Sequence, residues 1–362
     1  MKVPLTTMQK ALSTFSTNKR GGYLVDYQSN RDSRLDSLKG FLIILVVLGH
    51  MLEPYFDTPV NIILYVMIYS FHMPLFILLS GYFFNPMQED TKFWRSTLKL
   101  LESLIIFWII GLFAYPIPED SLNTSMLLTP SWSLWYILSL LFWRLSSYYL
   151  AKRGIDITSS RSIIISFLIS IVVGIIPISL ELSFQRTLVF FPFFLIGMRL
   201  KSSSFSLKQI RIWIFAVPVL AAVLYLIVKY QGGILYNVCY TFFGNRPYST
   251  YLDAISRGLG LALGLILSLF IFKTFPRVPI LDIIGTLTLP IYLLHIYGLK
   301  IFNLLIDHNI LPSTTIYLML YALLIIAIAA TIGSRPFSRY ILNPISSIAR
   351  NFRQKPTASA IK

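Results

Sequence analysis

The chain is a series of apolar runs, most of them near 20 residues long, set between short polar segments that carry most of its lysines and arginines. A helix of about 20 residues is what crosses a hydrocarbon core about 30 Å thick. The pattern predicts ten helical spans, at about 38–56, 60–84, 93–115, 131–150, 161–179, 186–200, 209–229, 253–273, 282–303 and 314–334. The sixth is short, and reads as tilted, re-entrant or flanked by Leu182 to Gln185. Within the second, Pro74 removes the hydrogen bond to the carbonyl of Ser70 and predicts a kink. Ser80 and Gly81 then permit close helix approach.

Composition agrees with the pattern. Of 362 residues, 56% are hydrophobic and 13% charged, which is too apolar for a soluble domain. The fold class expected is all-α, a polytopic membrane protein with about ten transmembrane helices. The net charge of +16 raises the question of nucleic acid, and its distribution answers it. With the N-terminus in the cytoplasm and strict alternation, 26 of the 31 Lys and Arg fall on the cytoplasmic side. Only Arg186, Lys229, Arg246, Arg257 and Lys300 fall outside. A missed or extra helix would scramble this alternation, so both termini are expected in the cytoplasm. The basic charge sets topology and contacts membrane lipids; nucleic acid is not an expected partner.

Three segments follow: a polar, basic tail over 1–34, a membrane domain over 35–334, and a basic cytoplasmic tail over 335–362. The N-terminal tail lacks the apolar core and cleavage site of a signal peptide, so the first span is expected to act as an uncleaved anchor in the cell membrane. Cys239 is the single cysteine, which rules out an intramolecular disulfide. Loops are short, leaving no appended catalytic domain. No inverted pair of broken helices favours a secondary transporter.

Candidate chemistry begins in the first span, LDSLKGFLIILVVLGHMLEP from Leu35 to Pro54. Lys39 and His50 are eleven positions apart, a rotation about 20° beyond three turns, so they share a face about 16 Å apart along the axis. His72 and His295 also lie inside spans, and each of the three sits roughly 18–20 Å into the core. They can meet near mid-membrane, where imidazole is the side chain best suited to move a proton. The alternative for each is a hydrogen bond to a backbone carbonyl or serine between helices. No ligand spacing within one helix supports a metal site.

Lys39, ten residues and His50 resemble the Arg/Lys-x10-His signature of the membrane acyltransferase-3 family, and LDSLKG and VVLGH resemble its fucose 4-O-acetylase-like branch. Further resemblances lie at SFHMPLFILLSGYFF (Ser70 to Phe84), SLWYILSLLFWR (Ser133 to Arg144), FFPFFLIGMRL (Phe190 to Leu200) and LTLPIYLLH (Leu287 to His295). The resemblance implies that His50 is the base or acyl-relaying residue and that Lys39 helps hold an acyl-CoA donor at the cytoplasmic mouth. Lysine in place of the more frequent arginine removes a bidentate phosphate clamp. Snorkelling at a helix end is the plainer role for Lys39. Arg186 resembles an arginine the family keeps before the FFPFF segment, which implies oxyanion stabilisation or acceptor binding.

Other residues are weighed on their own. Glu53 shares the face of His50, and can orient its imidazole or meet an acceptor sugar. Asp36 is expected to cap the first span or to pair with Lys39 at i+3, capping being preferred. Asp253 and Arg257 form an i,i+4 pair read as structural. Glu102 has no assignment. Trp132, Trp135, Trp143, Tyr136, Tyr148 and Tyr149 bracket the fourth span, and interfacial belts are preferred to sugar stacking as their explanation.

The resemblance thus implies an integral membrane O-acetyltransferase with no permanently bound cofactor. Acetyl-CoA or another acyl-CoA is the donor, and a cell-envelope or secreted polysaccharide is the acceptor, with polysaccharide synthesis machinery as a further partner. The alternatives are a glycan export component, an O-succinyltransferase, and a non-catalytic scaffold of a polysaccharide synthase. Topology is testable with the single thiol replaced by serine. In sealed cells a membrane-impermeant maleimide is expected to label Asn123→Cys and not Ser204→Cys. The reverse pattern contradicts ten spans with both termini inside.

Overall fold

In a computed structural model of the chain, residues 32–55, 58–114, 133–177, 181–202, 244 and 247–334 are described. The expected span 209–229, Trp132, most of the Tyr230–Tyr251 segment with Cys239, and both tails beyond residues 32 and 334 lie outside them. The described residues from Arg34 onward belong to one unit.

The described secondary structure is helical. The helices are α1 (Ser33–Leu52), α2 (Pro59–Tyr69), α3 (His72–Phe83), α4 (Asp90–Ala114) and α5 (Trp135–Lys152). After them come α6 (Ser160–Val172), α7 (Phe184–Ser202), α8 (Tyr251–Thr274), α9 (Pro279–Thr286), α10 (Thr288–Asp307) and α11 (Thr315–Ser334). Nine of the ten expected spans therefore carry a described helix. Among the described residues six spans are long and apolar enough to cross a membrane: α1, α2 with α3, α4, α8, α10 and α11. The others fall short for stated reasons. α6 ends after 13 residues in a 3₁₀ turn, and α5 and α7 carry Arg144, Lys152, Arg186, Arg199 and Lys201.

Two of the expected spans are broken. The second divides at Ser70 and Phe71, which places Pro74 in the first turn of α3, where its missing N–H costs no helical bond. The kink predicted from Pro74 is thus a full break. The span expected at 282–303 also divides, at Leu287 (φ −103°, ψ 15°), into the short α9 and the long α10. Pro290 stands in the first turn of α10 for the same reason.

α1 is the most buried of these six spans, with 67% of its apolar window buried against 61% in α2 with α3 and 33% in α4, α8 and α11. At one end Arg34 donates to the carbonyl of Phe272 and Phe41 meets Phe275. Ser37, fully buried, accepts from Val278 N (2.8 Å) and donates to Asp282, joining α1 to α9. Gly40 and Gly285 let those two backbones touch, since a Cβ on either would enter the other helix. α3 and α7 form the most extensive helix pair. There Gly81 faces the carbonyl of Phe194 and Gly197 that of Leu78, so the close approach expected at Gly81 is present.

The periphery is apolar outward. Ile105, Ile109 and Phe113 on α4, Ile164 and Leu168 on α6, and Leu320, Leu324 and Ile328 on α11 are exposed, as helices facing hydrocarbon require. The aromatic residues of α5 are not an interfacial belt. Trp135, Tyr136, Trp143 and Tyr148 are buried, while Phe142 and Tyr149 are exposed. Trp143 donates to the carbonyl of Thr187 (2.7 Å), and Tyr148 stacks on Phe93 with ring centroids 3.9 Å apart. Asp253 caps α8 through the backbone N–H groups of Ser249 and Thr250. Arg257 is fully buried under Tyr248, its guanidinium 4.4 Å from that ring. Glu102 is buried in α4.

Candidate active site

The site is assembled at the end of α1. His50 lies two residues before the helix ends, and Glu53 follows in a turn closed by its N–H on the carbonyl of Gly49 (3.1 Å). The i,i+3 spacing sets the carboxylate beside the ring, with Nδ1 3.3 Å from Glu53 Oε2. A carboxylate only accepts, so this contact is a hydrogen bond in which Nδ1–H donates to Glu53. Tyr69, the last residue of α2, brings its hydroxyl to 3.3 Å from the same Nδ1 and 3.5 Å from Glu53 Oε2. With Nδ1–H committed to the carboxylate, the phenol donates to Glu53. His50 retains partial exposure, 17% of its side chain.

His295 comes from α10, whose break at Leu287 sets its register. Its ring stacks on that of His50, with centroids 5.6 Å apart and planes 25° apart. Nδ1 donates to the carbonyl of Tyr292 (2.7 Å), while Nε2 is buried without a hydrogen-bond partner. Two imidazoles thus lie face to face, and that of His295 keeps a buried Nε2 without a hydrogen-bond partner. His72 opens α3, just after the chain break. It is buried, donates to the carbonyl of Ile68 (2.8 Å), and meets the site through Tyr69, whose ring centroid is 4.7 Å from its own.

Toward the start of α1 a cavity of about 270 Å³ is lined by Lys39, Ser80, Tyr136, Arg144, Thr288 and Tyr292 together with apolar side chains. Lys39 pairs with Asp36 (2.6 Å) and lies 4.9 Å from the Phe83 ring. Asp36 sits three residues inside the helix start at Ser33, so it pairs with Lys39 and is not the preferred N-cap. Ser80 and Tyr136 share a hydroxyl bond of 2.6 Å. Tyr292 connects the cavity to the histidines, because its carbonyl holds His295 and its own side chain lines the wall. Among the described residues no group of three or more His, Cys, Asp and Glu side chains is placed to hold a metal ion.

This layout puts a pair of stacked imidazoles one helical turn from a cation-bearing cavity inside an apolar helical protein. The match with known families is consistent with it, since the acyltransferase-3 model, described as an acyltransferase domain, covers residues 32–334. The chain belongs to the acyltransferase-3 family. Two curated relatives are similar over shorter stretches. Nodulation protein NolL of Sinorhizobium fredii is 38% identical over 96 residues, which is 22% of this chain and 24% of that protein. Nodulation protein NolL of Mesorhizobium japonicum is 40% identical over 67 residues, 15% of this chain and 16% of that protein. The aligned regions thus span a quarter or less of either relative. No solved structure matches the chain.

Of the residues singled out in this acyltransferase-3 chain, His50, Glu53 and His295 are brought into one group, with His72 joined through Tyr69. Lys39 stands at the cavity. Arg186 lies in α7 with its guanidinium 5.1 Å from the Trp135 ring. Tyr69 and Arg144 are the residues sequence reasoning missed as parts of the site. Tyr69 has a usable signal, because it immediately precedes the break that Pro74 announces. The geometry is testable without any assay of activity. On a Cys239→Ser background, the pair His50→Cys and His295→Cys is expected to crosslink internally with a short bifunctional thiol reagent. Mass spectrometry of the tryptic peptides checks it, and only singly modified peptides would contradict the stack.

Proposed function

We propose that this acyltransferase-3 protein is an O-acyltransferase that moves an acetyl or other short acyl group from acyl-CoA to hydroxyls of a cell-envelope or secreted polysaccharide. The observation that carries the reading is the stacked His50–His295 pair, with Glu53 on His50 and the Lys39 cavity one helical turn from His295. Acyl transfer from a thioester needs a base for the hydroxyl proton, a counter-charge for the cation so formed, and a hold on an anionic donor.

His50 supplies the first. Its Nε2 takes the acceptor proton as the acceptor oxygen bonds to the thioester carbonyl carbon. Glu53, bonded to Nδ1–H, stabilises the resulting imidazolium and keeps Nε2 aimed. The tetrahedral intermediate collapses with loss of the carbon–sulfur bond, and the departing thiolate recovers the proton from His50. The products are an ester and a free thiol, with no net proton change at the protein. His295, whose buried Nε2 can accept a hydrogen bond, holds the acceptor hydroxyl or the proton in transit. His72 and Tyr69 fix the floor, and Arg186 serves the acceptor or the oxyanion from the α7 side.

The donor enters from the other end. Lys39 lies about 16 Å along α1 from His50, a separation of the order of an extended pantetheine arm, so phosphate at Lys39 is compatible with a thioester at His50. The charge alternation supports a cytoplasmic position for that end, where acyl-CoA is available, with the acceptor arriving from the outer side of the cell membrane. Polysaccharide synthesis machinery is the partner expected to deliver it.

His50→Ala is expected to lower acyl incorporation into the glycan by about 10²- to 10⁴-fold, with protein abundance and glycan export unchanged. Lys39→Ala is expected to raise the acetyl-CoA requirement, and Lys39→Arg to restore it in part. Ester content of the purified glycan, acetyl and succinyl measured separately, is the readout with labelled acetyl-CoA turnover in membranes. Full ester content in the His50→Ala strain, with no redundant homologue, contradicts the reading. Normal esters on glycan retained inside the cell indicate an exporter instead.

A further inference from the structure

Arg144 is counted by sequence among the topological charges at an inner helix end, and the structure gives it a different setting. It lines the 270 Å³ cavity together with Lys39. One terminal nitrogen donates to Ser96 Oγ (2.5 Å) and Thr97 Oγ1 (3.4 Å) on α4. Its faces are covered by aromatic rings, with the guanidinium carbon 5.2 Å from Phe84 and 6.0 Å from Phe93. Its Nε is buried with no hydrogen-bond partner. No carboxylate among the described residues pairs with it; the ion pairs there are Lys39–Asp36, His50–Glu53, Lys152–Asp90 and Arg277–Asp282.

A guanidinium withdrawn from water without a counter-charge is costly unless something anionic completes it. Its planar fork suits phosphate, and a lysine alone cannot offer that geometry. Position adds a second argument. Phe84, on which Arg144 rests, also lines a second cavity of about 530 Å³ formed by Asn85 to Met87, Gly154 to Thr158, Met198 and Lys201. Arg144 therefore stands where the two cavities share a wall. A ligand lying across both, with a bulky polar end in the larger and a thin apolar arm in the smaller, passes its middle over this side chain.

We propose that Arg144 is a binding residue for a phosphate group of the acyl-thioester donor, acting with Lys39 at the junction of the two cavities. The proposal rests on the acyl-CoA reading above. It assigns to Arg144 the bidentate phosphate contact that Lys39 lacks. Ser96 and Thr97 hold the fork in place by one nitrogen, and the remaining N–H groups face the donor.

The test is calorimetric titration of the purified full chain in detergent with coenzyme A and, separately, with pantetheine, which carries the arm without phosphate. The wild-type protein is expected to bind coenzyme A more tightly than pantetheine. Arg144→Met is expected to lose about 10- to 100-fold in coenzyme A affinity, the worth of a charge-assisted hydrogen bond or two, with pantetheine affinity unchanged. Arg144→Lys is expected to fall between, since it keeps charge and loses the fork; it also serves if the methionine variant does not fold. Wild-type affinity for coenzyme A in a folded Arg144 variant overturns the proposal. So does a parallel loss of both ligands together with a lower thermal midpoint, which marks a purely structural role. Failure of the wild-type protein itself to bind coenzyme A overturns the donor reading, and this proposal with it.

Discussion

Inside a membrane a polar group finds its hydrogen bond within the protein or goes without, at a cost of several kcal/mol. The arrangement of this chain follows from that constraint. Ser37 is satisfied by α9, Trp143 by the Thr187 carbonyl, Ser80 by Tyr136, and His72 by the Ile68 carbonyl. Among the described residues only Arg144 Nε, Ser147 Oγ, Ser268 Oγ and His295 Nε2 are buried without a partner. One of these four atoms belongs to the ring stacked on His50, and another to a residue that lines Lys39's cavity. Among the described residues, two of the four unpartnered atoms thus belong to the cavity and to the histidine pair.

The fold makes this arrangement by breaking helices. The interruptions at Ser70–Phe71 and at Leu287 let α3 and α10 start inside the structure, each with a proline in its first turn. That start is what places His72 and His295 beside α1. The close backbone contact of Gly40 with Gly285 holds α1 against α9, which leads into α10, and Gly81 and Gly197 hold α3 against α7. A methyl group at any of these four glycines would collide with backbone, so site geometry and helix packing depend on the same contacts.

How much of this was legible depends on range. Apolar run length locates the helices, because the bilayer dictates length directly. The His50–Glu53 bond was readable as an i,i+3 neighbour on one helix. The stack of His50 on His295 joins residues far apart in sequence, and only the shared depth of the two histidines hinted at it. The break at Leu287 was missed because an apolar run records burial, not backbone continuity; Pro290 was the available signal. Arg144 and Arg257 were read as helix-end charges, yet both are drawn inside, since charge counting registers which side a residue is on and not which way it faces. Tyr69 is one of 21 tyrosines, and nothing local distinguishes it except its place before the break.

The central proposal is that Lys39 and Arg144 hold the donor's phosphates and that acyl transfer happens at the paired imidazoles. An experimental structure of the full chain bound to a non-hydrolysable acetyl-CoA analogue tests it most directly. The account predicts phosphate density at Lys39 and Arg144, the arm past Tyr136 and Tyr292, and the acyl carbonyl beside His50 Nε2. An analogue bound with its acyl end away from His50, beyond the reach of a bridging hydroxyl, would contradict it.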